Sequence, residues 1–167
     1  MSNVRSHLPL IVNIEPADPQ GQPALELLAE AAAEARARSP ELFPLGCSEP
    51  SNAPTPAGGI YLLAWESRRP VASGAFGPID KNTAEVRRIF VTASRRRRGL
   101  ASAVLAALEK HALQLGYSHL LLETGDRQSP AVALYAKHNF RRIPAYGSHA
   151  KDPTSICFGK ALAERET

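Results

Sequence analysis

At Gly99 the spacing of the apolar residues changes from that of β-strands to that of an α-helix. The segments before this glycine are short, apolar and bounded by turn residues, which predicts strands over 60–66, 70–79 and 84–91. After it, apolar residues recur every three or four positions, which predicts a helix that ends before Gly116. The predicted apolar face of this helix consists of Leu100, Val104, Leu105, Leu108, Ala112 and Leu115. Strands followed by such a helix must bury its apolar face against their sheet.

The other segments continue this alternation. The remaining predicted elements are a strand (8–14), a helix that ends at Ser39–Pro40, a loop rich in Pro, Gly and Ser (42–59), a covered strand (119–124), a helix from Ser129–Pro130 to about His138, and a closing strand (155–162). The apolar face predicted for the first of these helices consists of Leu25, Leu28, Ala32 and Ala35. Asn139 takes the left-handed position after the last helix. The order predicts one mixed α/β domain over 8–165, with 1–7 as a flexible tail.

The excess positive charge of the chain lies in one run. The sequence has 20 Lys and Arg against 16 Asp and Glu, and without the four residues Arg95, Arg96, Arg97 and Arg98 the balance is 20 − 4 = 16 against 16. A protein that tracks a long nucleic acid usually spreads its basic residues over a face, because affinity grows with the number of neutralised phosphates. One focus of charge suits a compact, highly charged ligand better.

The basic run lies where a strand turns into a helix. A helix N-terminus leaves backbone N–H groups without partners and carries a partial positive charge. Gly99 and Ala101 keep side-chain bulk away from those groups, so a phosphate or pyrophosphate could approach them. The alternative is a solvated basic turn that begins the helix. The sequence has neither the P-loop pattern nor the dinucleotide-binding pattern GxGxxG.

Composition excludes several other classes of protein. No apolar run approaches the ~20 residues that span a bilayer, and the first residues lack the apolar stretch of a secretory signal. We therefore expect a soluble cytoplasmic protein with no membrane partner. Cys47 and Cys157 are far apart and show no metal-ligand spacing, so we expect no metal and two buried or half-buried thiols.

Two stretches, "RRRGLA" and "QSPAVALYAKHNF", resemble motifs of the GNAT superfamily of acyl-CoA N-acyltransferases. The first resembles the family's [QR]-x-x-G-x-[GA] motif, and the second resembles its N-x-x-A-x-x-L-Y motif. The positions that match the second motif are Gln128, Ala131, Leu134 and Tyr135. Gln128 replaces the commoner Asn, and Asn139 replaces the commoner Gly. The resemblance covers about 84–141 and implies a mixed, mostly antiparallel sheet that splays at the cofactor site, with helices on both faces.

The resemblance also implies how acetyl-CoA is held. In this family the backbone amides of the first motif bind the pyrophosphate, which here places it on Arg96, Arg97, Arg98, Gly99, Leu100, Ala101 and Ser102. The pantetheine arm pairs like an extra strand with the end of the central strand, here near Phe90 and Val91. Gln128 can still donate and accept hydrogen bonds, so we expect it to contact the cofactor.

Two residues match catalytic positions of the family. Tyr135 matches the family's general acid. A phenol can protonate a departing thiolate without ionising at neutral pH. The alternative is that Tyr135 packs in the core with its hydroxyl group at the rim. Glu85 matches the catalytic Glu of some members, as a base or an electrostatic anchor; the alternative is a surface ion pair with Arg87 or Arg88. Glu123 and a water relay remain open as the base. No role is assigned to the histidines, which are His7, His111, His119, His138 and His149.

The predicted function is transfer of an acetyl group from acetyl-CoA to a primary amine, with a small metabolite expected as acceptor. The loop 40–59 and the segment 145–155 are expected to shape the acceptor side. The alternatives are a nucleic-acid-binding module that uses Arg95–Arg98, and a regulator of the same fold that binds acyl-CoA without turnover. The expected partners are acetyl-CoA and the amine, with no nucleic acid, and a homodimer is left open.

Overall fold

One seven-stranded sheet organises the chain in the computed structural model, which describes residues 12–126 and 129–163. The strands are β1 (Asn13–Pro16), β2 (Ile60–Glu66), β3 (Arg69–Pro78), β4 (Thr83–Val91), β5 (His119–Gly125), β6 (Arg141–Ile143) and β7 (Ser155–Ala161). The α-helices are α1 (Gln22–Arg38), α2 (Leu100–Gln114) and α3 (Ser129–Lys137). The strand order is β1-β2-β3-β4-β5-β7-β6, and only the pair β4–β5 is parallel. The predicted mixed, mostly antiparallel α/β fold is confirmed.

Helices cover both faces of this sheet. On one face, Val104 and Leu108 of α2 and Tyr135 of α3 join a core cluster with strand residues. On the other face, Leu27 of α1 packs against Leu63 and its neighbours on β2. Successive residues of a strand point to opposite faces of the sheet, so within β4, and likewise within β5, consecutive side chains lie on different faces.

The sheet separates between its two parallel strands. The pairing of β4 with β5 runs from Thr83–His119 to Val86–Leu122, yet both strands continue beyond it. At the same place β4 contains a bulge, and its residue Arg88 has a φ of +59°. The predicted splay of the sheet is therefore confirmed.

The left-handed residues predicted after two of the helices are present: Gly116 follows α2 with a φ of +91°, and Asn139 follows α3 with a φ of +64°. Gly99, for which this conformation was not predicted, precedes α2 with a φ of +79°. Five of the six residues predicted for the apolar face of α2 are buried. The exception, Leu115, lies one residue past the helix and is 53% exposed.

Several predicted details are wrong or lie outside the described residues. The fully buried residues of α1 are Ala24 and Leu27, while Leu25 is 39% exposed. Strand β6 was not predicted, because its short polar segment shows no strand periodicity and depends on pairing with β7. Cys47 is exposed, whereas Cys157 is buried as expected.

Some predicted boundaries cannot be compared with the structure. The predicted first strand began at residue 8, and residues 8–11 lie outside the described part, as do the tail 1–7 and residues 164–165. The domain bounds 8–165 stay a prediction. Among the helices that the structure describes, none has the length and apolar character that crossing a membrane requires.

Candidate active site

A cavity of about 1230 Å³ opens where β4 and β5 diverge. Its walls come from α1, β4, the N-terminus of α2, the end of β5 and α3. Eight of the residues predicted to hold acetyl-CoA line it: Phe90, Val91, Arg96, Arg97, Gly99, Leu100, Ala101 and Ser102. Arg98 is exposed and is not part of the lining. Gln128, also predicted to contact the cofactor, lies outside the described residues.

The turn before α2 presents backbone N–H groups to this cavity. Gly99 is the N-cap of α2, and no side chain caps this helix end. The first N–H groups of a helix have no partner within the helix, so those of Leu100 to Ser102 are open to an oxyanion. A Cβ built on Gly99 meets no heavy atom within 4 Å, so the approach to the helix end is open. This geometry fits the predicted phosphate cradle.

Two of the four arginines are fixed by carboxylates. Arg95 Nε lies 2.5 Å from Glu66 Oε2, and Arg96 Nη2 lies 2.5 Å from Glu34 Oε2. The hydrogen bond from Arg96, opposed in part by burial, holds the pKa of Glu34 below its ordinary value. Arg97 and Arg98 form no salt bridge with any residue in the described ranges. The basic run therefore combines two anchored side chains with two that remain available to a ligand.

The second half of β4 has an unpaired edge toward the cavity. The N–H of Thr92 bonds to Val71 O of β3, so the backbone groups of Val91 turn the other way. Arg96 Nε donates to Val91 O at 3.1 Å, which leaves the Val91 N–H for another partner. Phe90 turns its ring toward α1 and lies under Arg96, whose Cζ is 5.6 Å from the ring centroid. This edge can accept an extended chain as an additional strand.

Tyr135 lines the cavity and also packs in the core. Its ring lies 5.9 Å from that of Phe140 and 5.9 Å from that of Phe158, centroid to centroid, and the residue is 6% exposed. Burial, with a smaller contribution from the negative charge of Glu123, raises the pKa of Tyr135 to about 12. The phenol therefore stays protonated at neutral pH and can donate a proton.

Glu85 belongs to a hydrogen-bonded cluster on the α1 face of the sheet. Tyr146 donates a hydrogen bond of 2.6 Å to Glu85 Oε2, and Arg87 forms an ion pair with the other carboxylate oxygen. Burial raises the pKa of Glu85, but these hydrogen bonds and the charges of Arg87 and His149 outweigh it and hold the pKa below its ordinary value. Burial and the hydrogen bond to Glu85 raise the pKa of Tyr146. Glu85 is thus an ionised carboxylate whose two oxygens are already bound by Tyr146 and Arg87.

His149 joins this cluster to a second carboxylate. Its Nε2 lies 3.4 Å from Glu85 Oε2, and its Nδ1 lies 3.8 Å from Glu123 Oε2. Glu123 also accepts a hydrogen bond of 3.0 Å from Ser155 Oγ. Glu123 lines the cavity, whereas Glu85 is not among the lining residues. Of the two predicted carboxylates, Glu123 is therefore the one that reaches the cavity.

His149 and Tyr146 were not predicted as site residues. Both belong to the segment 145–155, which was predicted to shape the acceptor side, and His149 lies in a short 3₁₀ helix (Gly147–Lys151). Their role depends on this segment folding back over Glu85, which is about sixty positions earlier in the chain. Periodicity within one segment carries no information about such a contact.

Comparisons with known proteins agree on one family. The model of the acetyltransferase (GNAT) family matches residues 24–140. An uncharacterized N-acetyltransferase of Bacillus subtilis, YsnE, is 33% identical over 104 residues, which cover 61% of this chain and 69% of the relative.

Two solved structures share the fold of this chain. A Klebsiella pneumoniae protein assigned to the acyl-CoA N-acyltransferases has a TM-score of 0.76 at 26% identity, covering 92% of this chain and 99% of the other. The PaiA N-acetyltransferase of Thermoplasma acidophilum, solved in complex with coenzyme A, shares the fold with a TM-score of 0.68 at 13% identity, covering 90% and 98% of the two chains.

Proposed function

Because this chain belongs to the acetyltransferase (GNAT) family, we propose that it transfers the acetyl group of acetyl-CoA directly to the primary amine of a small metabolite in a ternary complex. The observation that carries the proposal is the divergence of β4 and β5 inside one cavity. The basic turn before α2 lies at one part of this cavity, and Tyr135 and Glu123 lie at another. An acyl donor and an amine acceptor could therefore meet between the two strands.

The residues present fit acetyl-CoA, which supplies an activated acetyl group as a thioester. The N–H groups at the start of α2, with Arg97, would bind the pyrophosphate, and Arg98, which lies outside the cavity lining, is kept as a predicted contact. The free N–H of Val91 would bind the pantetheine arm as a strand binds its neighbour. We retain Gln128 as a further predicted contact. The open approach to Gly99 supports this arrangement, because a larger residue there would occupy the space of the phosphates.

Tyr135 is proposed as the general acid. When the C–N bond of the amide forms and the C–S bond breaks, a proton must reach the thiolate sulfur. A phenol whose pKa is raised to about 12 remains protonated over the whole physiological range. Its ring is fixed by Phe140 and Phe158, so its position does not depend on the ligand.

Glu123 is proposed to receive the ammonium group of the acceptor, with Glu85 acting through His149. The cavity reaches Glu123 directly. Glu85 stays negative because Tyr146 and Arg87 stabilise its charge, and His149 Nε2 lies 3.4 Å from Glu85 Oε2. The ammonium must lose one proton before its nitrogen attacks the thioester, and the imidazole between the two carboxylates is proposed to take that proton. Glu85 is then the electrostatic anchor, which was one of its two predicted roles.

Initial-rate kinetics test this proposal. The purified protein is incubated with acetyl-CoA and a panel of amino acids, amines, aminoglycosides and peptides, and both free CoA and acetylated product are measured. We expect turnover of a small amine with intersecting double-reciprocal lines, since both substrates must be bound together. Parallel lines with a trapped acetyl-enzyme would contradict direct transfer. Binding of acetyl-CoA without turnover of any amine would favour the regulator.

A further inference from the structure

Arg88 belongs to the bulge in β4. Ser73 faces Phe90 and Ala75 faces Arg87 across β3 and β4, so Arg88, with a φ of +59°, and Ile89 together lie opposite Gly74. Ser73 Oγ donates a hydrogen bond of 2.8 Å to the Arg88 carbonyl, which fixes the backbone. The left-handed conformation costs a non-glycine residue free energy and often marks a functional position.

The side chain of Arg88 is held in place by neutral groups. Its Nε donates to Asn52 Oδ1 at 3.0 Å, and its Nη2 donates to Ser51 O at 3.1 Å. Asn52 is itself 7% exposed and is anchored by a hydrogen bond of 2.8 Å to Pro19 O. Gln20 Nε2 also donates to Asn52 O, at 3.1 Å. The guanidinium group is thus positioned from the start of α1.

Among the residues that the structure describes, no carboxylate neutralises the charge of this guanidinium. No carboxylate in residues 12–126 or 129–163 forms a salt bridge with Arg88, whereas its neighbour Arg87 pairs with Glu85. An arginine has five N–H donors, of which two are used here, so three remain. Arg88 is exposed and lines the cavity. A fixed, unpaired guanidinium at a cavity wall is suited to bind a carboxylate with two parallel hydrogen bonds.

The phosphates of acetyl-CoA are not the partner of Arg88. Arg88 lies three residues before Val91 on β4, which corresponds to about 10 Å along an extended strand. The basic turn before α2 is still further along the chain. Arg88 instead lies on the α1 side, next to the loop residues Ser51 and Asn52 of the predicted acceptor side.

A negatively charged residue lies on the other of the two separated strands. Glu123 directly follows Leu122, the last paired residue of β5, and Arg88 lies two residues after Val86, the last paired residue of β4. Both side chains line the same cavity. Because the strands diverge there, the two groups are separated by more than the ~4.8 Å between paired strands. A ligand that satisfies both must carry an ammonium and an acidic group a few bonds apart.

We propose that the acceptor is a zwitterionic amino acid, whose carboxylate is bound by Arg88 and whose ammonium is received by Glu123. The inference rests on the proposed function and specifies its substrate class. The unpaired charges of the cavity support it. Five of the eight Lys and Arg side chains in its lining form ion pairs with carboxylates, and within the described ranges Arg88, Arg97 and Lys137 do not. A polyamine or another polycation would meet repulsion from this lining.

The test compares acceptors that differ only in the carboxylate. L-Phenylalanine is paired with 2-phenylethylamine and L-leucine with 3-methylbutylamine, and the series is extended to the other amino acids for which the decarboxylated amine exists. For the best pair we expect wild-type kcat/KM to favour the amino acid by about 10²-fold or more, since the site leaves Arg88 unpaired when the carboxylate is missing. In Arg88→Met this ratio should fall toward one, mainly through a higher KM for the amino acid.

Arg68→Met serves as the matched control, since Arg68 is an exposed arginine in the β2–β3 turn and does not line the cavity. It should keep the wild-type ratio. The Kd for acetyl-CoA, measured by calorimetry, should be the same in Arg88→Met and the wild type, which shows that the variant is folded. Calorimetric titration of the CoA-bound protein with the best amino acid gives a second measurement that needs no turnover.

If Arg88→Met lowers kcat/KM equally for the amino acid and for its decarboxylated amine, the assignment of Arg88 to the carboxylate is wrong, while the proposed transferase activity still stands. Preference of the wild type for the decarboxylated amines would overturn it as well. Amino-acid binding to the CoA-bound protein that requires Arg88, without acetylation of any amine, would support the site and refute the proposed function.

Discussion

Tyr135 shows how one side chain serves packing and chemistry together. Its aromatic ring is part of the core, as expected if Tyr135 were only a packing residue. Its position on the cavity wall also permits it to act as the general acid. The motif around it predicted the position, but the sequence could not indicate that burial and Glu123 would raise its pKa to about 12. The burial of Tyr135 and its proximity to Glu123 both depend on the fold, because Glu123 lies on a different element of the chain.

Replacement of Tyr135 by Phe separates these two roles. Tyr135→Phe keeps the ring contacts but removes the proton donor, so kcat should fall by about 10²–10³-fold while the Kd for acetyl-CoA changes little. The measurements are steady-state kinetics and calorimetric titration. If Tyr135→Phe keeps the kcat of the wild type, Tyr135 is not the general acid. In the wild type, kcat should not decline between pH 8 and about pH 10 through loss of this proton, because the pKa of Tyr135 is about 12.

The lowered pKa of Glu85 leads us to expect that the folding stability of the protein depends on pH. Its pKa is lower in the folded protein than its ordinary value of 4.5, so its charge stabilises the fold above about pH 4.5. This contribution is lost as the pH falls through the lowered pKa. Glu85→Gln should therefore destabilise the protein most at neutral pH, and the difference from the wild type should shrink below pH 4.5. Urea unfolding at several pH values measures it, and a difference that grows in acid would contradict the assigned direction.

At the scale of elements, α2 was predictable and α1 was only partly so. The apolar periodicity of α2 and its two flanking glycines depend on local sequence alone, so both its ends and five of the six residues of its buried face were predicted correctly. The face predicted for α1 contains Leu28, Ala32 and Ala35, which line the cavity instead of the core. Periodicity identifies an apolar face of a helix but does not distinguish a face that meets protein from one that meets a ligand.

The two glycines of α2 provide a matched pair of variants. Gly99 and Gly116 both have positive φ, and a Cβ at either meets no heavy atom within 4 Å. Glu at either position should cost about 1–2 kcal/mol of stability through the left-handed backbone. Only Gly99→Glu adds bulk and negative charge at the phosphate cradle, so it should weaken acetyl-CoA binding by about 100-fold or more. Similar Kd values for both variants would refute this placement of the pyrophosphate.

At the scale of the whole molecule, the sheet brings together residues from distant parts of the sequence. The split between β4 and β5 places the basic turn, Tyr135, Glu123 and Arg88 around one cavity. The motifs predicted the first two of these and offered Glu123 as a candidate base. Arg88 and His149 depend on contacts across more than thirty residues, which a pattern within one segment does not contain.

Binding of acetyl-CoA should stabilise the whole fold. A ligand that binds only the native state adds about 2.7 kcal/mol at a concentration 100 times its Kd. For a domain of this length the melting temperature should rise by about 5–10 °C. Differential scanning fluorimetry with millimolar acetyl-CoA measures the shift, with Gly99→Glu as the control that should show little. The absence of a shift in the wild type would contradict the acyltransferase assignment.

The apolar side of α1 that faces the cavity has a thermodynamic consequence. In the free protein Leu28, Ala31 and Ala32 border a space large enough to hold water. A ligand that covers them removes apolar surface from water, and such removal lowers the heat capacity of the complex. The binding enthalpy of acetyl-CoA should therefore become more negative with rising temperature. Leu28→Ser should reduce that slope, which makes calorimetry at several temperatures a direct measure of how much of α1 the ligand covers.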